Sequence, residues 1–133
     1  MGLEFSDATR SARAEATMGQ LDKAATPGRV ELYTTTQPAA GAAAGGSPIA
    51  TITLQKPSGT VVDGVIAFAV SQPAQVTTSG DVLWARGTDG DGNWVLDGDV
   101  AVTGTPGAAF TLDDVALYAG AFVFLFNATL TEP

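Results

Sequence analysis

A chain of 133 residues, 45% hydrophobic and 15% charged, is long enough for one domain with a modest core and too apolar for a disordered segment. It holds neither cysteine nor histidine, which excludes disulfides, thiolate metal sites, thiol nucleophiles and the Ser-His and Cys-His catalytic pairs. Carboxylate and Ser-Lys chemistry stay formally open, so the composition argues against an enzyme without closing the question.

The net charge of −8 is unevenly placed. Up to residue 29 the bases Arg10, Arg13, Lys23 and Arg29 balance Glu4, Asp7, Glu15 and Asp22; beyond it only Lys56 and Arg86 face ten acids. Phosphate backbones repel such a body, so nucleic acid is not an expected partner. No run reaches the roughly 18 apolar residues of a membrane span, and no membrane partner is expected either. The stretch 1–28, close to neutral, reads as a separate helix or arm, and 29–133 as the main domain.

In chain order, Ser6 to Ala25 reads as a helix. Ser6 is its N-cap, Asp7 complements the dipole in the first turn, and Pro27-Gly28 stops it. Its apolar stripe is thin: Leu3 and Phe5 before the cap, then Met18 and Leu21. A helix this weak needs a surface, which is either its own domain or a partner. From Arg29 the period changes to two, giving a strand over Arg29–Thr36. The small-residue loop Gln37 to Pro48 leads to a second strand, Ile49 to Leu54. Gly64 to Val70 is continuously apolar and is expected to be covered on both faces. A strand near Gln75 to Ser79 follows.

Next comes a hairpin. Asp81–Gly87 runs up, Thr88-Asp89-Gly90-Asp91-Gly92 turns, and Asn93–Val100 runs back. Centring the loop on Gly90 and Asp91 turns Leu83, Ala85, Trp94 and Leu96 inward, with Arg86 outward near Val95 and diagonal to Asp97. Phe110–Leu112 and Val115–Tyr118 alternate out of phase across Asp113-Asp114, which predicts a bulge or turn there. In the last strand, from Ala121 to Leu130, Phe122, Phe124 and Phe126 share one face and Val123 and Leu125 the other. Such a strand is either central or covered by another subunit. With 16 glycines and 7 prolines punctuating the chain, the pattern predicts an all-β, jelly-roll-like sandwich of about seven to nine short strands.

Few residues suggest chemistry. Asp89, Asp91 and Asn93 place oxygen atoms at alternate positions, as a hard cation prefers. In an EF-hand counted from Asp89, however, Trp94 takes the obligatory Gly position and Val100 the Glu position. A solvated turn is the simpler reading, and no cofactor is expected. Asp97, Asp99, Asp113 and Asp114 have no pattern that marks them as a catalytic carboxylate pair. Trp84 and Trp94 are able to stack on sugar rings only if exposed.

The order of elements resembles a family of small structural proteins of tailed bacteriophages. The resemblance rests on the helix, on Arg29-Val30-Glu31-Leu32-Tyr33-Thr34-Thr35-Thr36-Gln37-Pro38 with an Ala/Gly-rich loop into Ile49–Leu54, and on Trp84-Ala85-Arg86-Gly87-Thr88-Asp89. Asp97-Gly98-Asp99-Val100 and the apolar C-terminal strand ending in Leu130-Thr131-Glu132-Pro133 complete it. Within that family the chain is most similar to capsid cement, or decoration, proteins. The resemblance implies a jelly-roll-like protein without catalytic residues, made in the bacterial cytoplasm and placed on the outside of the shell. It would bind the major capsid protein and itself, as a dimer or trimer. Leu3, Phe5, Met18, Leu21, Phe122, Phe124 and Phe126 are the expected interface residues. A tail or head-tail joining protein is the alternative within the virion, and a carbohydrate- or cation-binding module the alternative outside it.

Overall fold

A computed structural model of the chain describes residues 4–72, 74–105, 108–123 and 129–131. One helix, α1 (Asp7–Leu21), precedes strands β1 (Arg29–Tyr33), β2 (Ala50–Val62), β3 (Val65–Gln72), β4 (Ala74–Gln75), β5 (Gly80–Asp81) and β6 (Trp84–Thr88). Then come β7 (Trp94–Val102), β8 (Phe110–Leu112), β9 (Ala116–Leu117), β10 (Phe122–Val123) and β11 (Thr129–Thr131). The fold is all-β and sandwich-like, as the alternation predicts.

The main sheet curls until its hydrogen-bonded order β1-β2-β3-β11-β8-β7-β6 returns to β1. Neighbours are antiparallel except β7 and β8, which run parallel. Side chains alternate across the strands, so Val30, Leu32, Ile52, Leu54, Ile66, Phe68, Val100, Phe110 and Leu112 converge inside. The rings of Phe68 and Phe110 stack there, 6.0 Å between centroids. Gly98 makes room for this: a Cβ on it would stand 2.7 Å from the Cβ of Ala109 and 3.0 Å from the Phe110 ring.

Between β2 and β3, Asp63 (φ 51°) and Gly64 (φ 80°) both adopt left-handed backbone, and Val62 pairs with Val65. Positive φ at both central positions is the geometry of a two-residue hairpin. Gly64 is therefore a turn residue, where the periodicity places the start of a strand. The expectation that Gly64–Val70 is covered on both faces is corrected as well. Ile66 and Phe68 are buried, whereas Ala67 is exposed and Val65 and Val70 are half-buried. An antiparallel sheet packs one face and leaves the other wet, and small residues on that outer face expose little apolar surface.

Helix α1 packs on this core. Ser6 caps α1 by accepting the Thr9 N–H at 3.1 Å. Ala14, Met18 and Leu21 follow one another at helical spacing on one face. Ala14 and Leu21 are fully buried in the same cluster as the strands, and Met18 packs against it. The helix, expected to reach Ala25, ends at Leu21. There the Asp22 carboxylate accepts the Ser58 N–H at 3.0 and 3.2 Å. This bond ties the helix end to β2 just after Pro57, which has no N–H for the ladder.

A second, smaller layer closes the core. Segments 74–82 and 115–123 run antiparallel: Ala74 pairs with Val123, Gln75 with Phe122, Gly80 with Leu117 and Asp81 with Ala116. Bonds from Val76 N to Ala121 O, from Gly120 N to Val76 O and from Val82 N to Val115 O, at 2.8, 2.8 and 2.9 Å, extend the two short pairings into an interrupted ladder along the same two segments. Its inner side chains, Ala74, Val76, Val82 and Val123, are buried, with Val115 and Leu117 packed against the core.

Candidate interaction surface

Among the described residues, nothing covers the outer side of that ladder. Period-two alternation turns Gln75, Asp81 and Leu83 outward, together with Phe122 opposite Gln75. Phe122 is 58% exposed, Leu83 52%, and Tyr118, in the turn before β10, 69%. Rings of this size usually bury most of their area, so two exposed aromatic side chains on the paired segments, with Leu83 where the chain passes into the main sheet, stand out from the scattered apolar exposure of any surface. The Asp114 carboxylate accepts the Ala116 N–H at 2.9 Å, fixing the turn that the phase change at Asp113-Asp114 predicts. Asp81, Asp113 and Asp114 are exposed beside the apolar residues. The sequence has no Lys or Arg from Pro57 to Ala85 and none after Arg86.

Of the expected interface residues, Phe122 is thus at the surface. Leu21 is corrected: full burial in the core leaves it nothing to offer a partner. Met18 is half-buried against the same core. Phe5 is 39% exposed, with the Arg13 guanidinium 4.7 Å above its ring. Leu3, Phe124 and Phe126 lie outside the described residues. Tyr118 and Leu83 were not among the expected residues. For Tyr118 the signal was an aromatic residue immediately before Ala119-Gly120, where a turn leaves no core to enter.

A second cluster lies on the outer face of β1, β6 and β7. Glu31, Arg86 and Asp97 occupy one row across the three strands, with Tyr33 and Trp84 paired in the next. Arg86 donates to both Asp97 oxygens, Nε to Oδ1 at 2.8 Å and Nη2 to Oδ2 at 3.0 Å. The two side chains are only 13% and 3% exposed. The hydrogen bond to Asp97 pushes the Arg86 guanidinium above its ordinary range, where it stays charged. Burial, and then the Glu31 carboxylate, raise Tyr33. Trp84 is buried between Tyr33, stacked at 4.4 Å, and Arg86, 5.3 Å from its ring. Its indole N–H donates to Thr35 Oγ1 at 3.2 Å.

The loop Gln37 to Pro48 roofs this cluster. Arg86 Nη2 also donates to the Ala42 carbonyl at 2.6 Å, and Gly41 lies against the Trp94 ring. The predicted register is corrected here. A bulge opposes Gly87 and Thr88 to Leu96 and Trp94, leaving Val95 as the extra residue. Arg86 therefore faces Asp97 directly, and Trp94, expected inward, is exposed; Leu83, also expected inward, is exposed for a separate reason, lying outside the hairpin where the chain enters β6. Trp84 has both ring faces covered, so it offers no platform to a sugar.

Asp89 spends its carboxylate inside its own turn. Oδ1 accepts the N–H groups of Asp91 and Asn93 at 3.0 and 2.9 Å, and Oδ2 accepts Asn93 Nδ2 at 3.1 Å. These bonds, led by the Asn93 side chain, hold Asp89 below the usual carboxylate range. An Asx-type turn accounts for the alternating Asp89, Asp91 and Asn93, and among the described residues no group of three metal-ligating side chains gathers. Comparisons with protein-family models, with curated proteins and with solved structures find no match.

Proposed function

We propose that this chain is a cement protein of a tailed-bacteriophage capsid, which binds the outer surface of the assembled shell and bridges its major capsid protein subunits. The observation that carries this reading is the uncovered ladder face bearing Phe122, Tyr118 and Leu83. A small body with bulky apolar residues displayed on a rigid sheet is suited to holding another protein surface. Two further features support it. The layout resembles that family over nearly the whole chain, and a body of net charge −8 suits a position away from packaged DNA.

The mechanism is mass action. A ligand that binds the assembled, expanded shell and not its dispersed subunits stabilises the assembled state in proportion to its occupancy. Co-sedimentation with cognate expanded shells prepared without the protein tests the proposal. Saturable binding at a fixed number of copies per shell is expected. Absence of binding contradicts the proposal and turns attention to a tail or head-tail joint, where a ring-shaped oligomer would be seen by light scattering.

A further inference from the structure

We infer that the docking face is the outer side of the 74–83/114–123 ladder, and that its partner is a basic protein surface with an apolar recess for Phe122 and Tyr118. This rests on the reading that the protein works by holding a protein surface, and adds which face holds and what chemistry it meets.

The first observation is the ladder's two-sidedness. Ala74, Val76, Val82 and Val123 point into the core, which anchors the backbone on which Phe122, Leu83 and Asp81 point out. Tyr118 is held by its own turn, in which Ala121 N–H donates to Tyr118 O at 3.0 Å, Ala119 N–H to Ser79 Oγ at 2.9 Å and Gly120 N–H to Val76 O at 2.8 Å. The display is therefore preorganised, and little ordering entropy remains to oppose binding.

The second observation is charge. Every base of the chain lies at or before Lys56, except Arg86, and Arg86 is committed to Asp97 and the Ala42 carbonyl. Asp81, Asp113 and Asp114 are exposed on these segments, and Asp81 stands two residues from Leu83 and, through its pairing with Ala116, two from Tyr118. A partner with Lys or Arg around an apolar recess meets both features, with charge steering the encounter and fixing the register. A second copy of this chain is a poor occupant, since it brings a net charge of −8 to another −8.

The test uses the full chain and the shell co-sedimentation assay. Phe122→Ser should weaken binding about tenfold or more, as an aromatic anchor does. Asp81→Asn with Asp114→Asn keeps the size of each side chain, and the amide oxygen introduced by the second change still accepts the Ala116 N–H. The pair should weaken binding about three- to tenfold at low salt and flatten its salt dependence. Val62→Ser, which alters an exposed residue at the β2–β3 turn, should leave binding unchanged.

If wild-type protein binds shells and the ladder variants bind equally well, this face is not the dock, although the cement reading stands. If wild-type protein does not bind, that reading fails and takes this inference with it. Sedimentation velocity of the free protein supplies the remaining outcome. A dimer that Phe122→Ser converts to monomer assigns the face to a second copy and overturns the proposed partner.

Discussion

Arg86 shows how one side chain joins three parts of the molecule: it bridges β6 to β7 through Asp97, covers Trp84 and reaches up to the Ala42 carbonyl of the roofing loop. Its planar fork satisfies both carboxylate oxygens at once, which a lysine ammonium does not. Removing it leaves Asp97, 3% exposed, as an uncompensated buried charge. Arg86→Ala should therefore cost about 3 kcal/mol of stability in urea denaturation. The double change Arg86→Met with Asp97→Leu should recover most of that loss, because it removes both charges together. A single variant within about 0.5 kcal/mol of wild type, the usual range for surface substitutions, would show that the pair is screened by solvent. The hairpin around this pair was legible from Asp89-Gly90-Asp91-Gly92. Its register was not, because the bulge at Gly87 and Thr88 leaves no mark in the local sequence. That one slip moved Trp94 from the core to the surface and set Arg86 opposite Asp97.

At the scale of elements, the helix is the clearest case of tertiary packing deciding what a weak stripe does. Met18 and Leu21 are equally good as a docking stripe and as a core stripe, and only Leu21's full burial separates the readings. Leu21→Ala should cost about 3 kcal/mol by the cavity it leaves, read as a lower urea midpoint, and should not change shell binding per folded molecule. Unchanged stability with lost binding would restore the helix as the docking arm. The Ser6 cap, the strand beginning at Arg29 and the turn at Asp113-Asp114 were legible because each depends on neighbours in sequence. The second layer was not. β4, β5, β9 and β10 are two-residue pieces whose partners lie about forty residues away, and short pieces carry no period to read. The Asp63-Gly64 turn was legible in principle, as Asp-Gly between two pairs of apolar residues. The continuous apolar run that follows it drew the strand boundary one residue too early.

The whole molecule combines a buried core with an outer face whose segments, 74–83 and 114–123, carry exposed aromatic and acidic residues and contain no Lys or Arg. Composition made the charge legible from the start, and the missing cysteine and histidine narrowed the chemistry. Which face carries the exposed aromatic residues depends on long-range pairing, and so only the folded chain displays it. Heating cognate expanded shells with and without saturating protein, and following shell rupture by light scattering, decides whether the protein acts as a cement. A cement protein should raise the rupture temperature with occupancy, and the rise should level off when the sites are full. A protein that binds to saturation and leaves the rupture temperature where it was would contradict the cement reading.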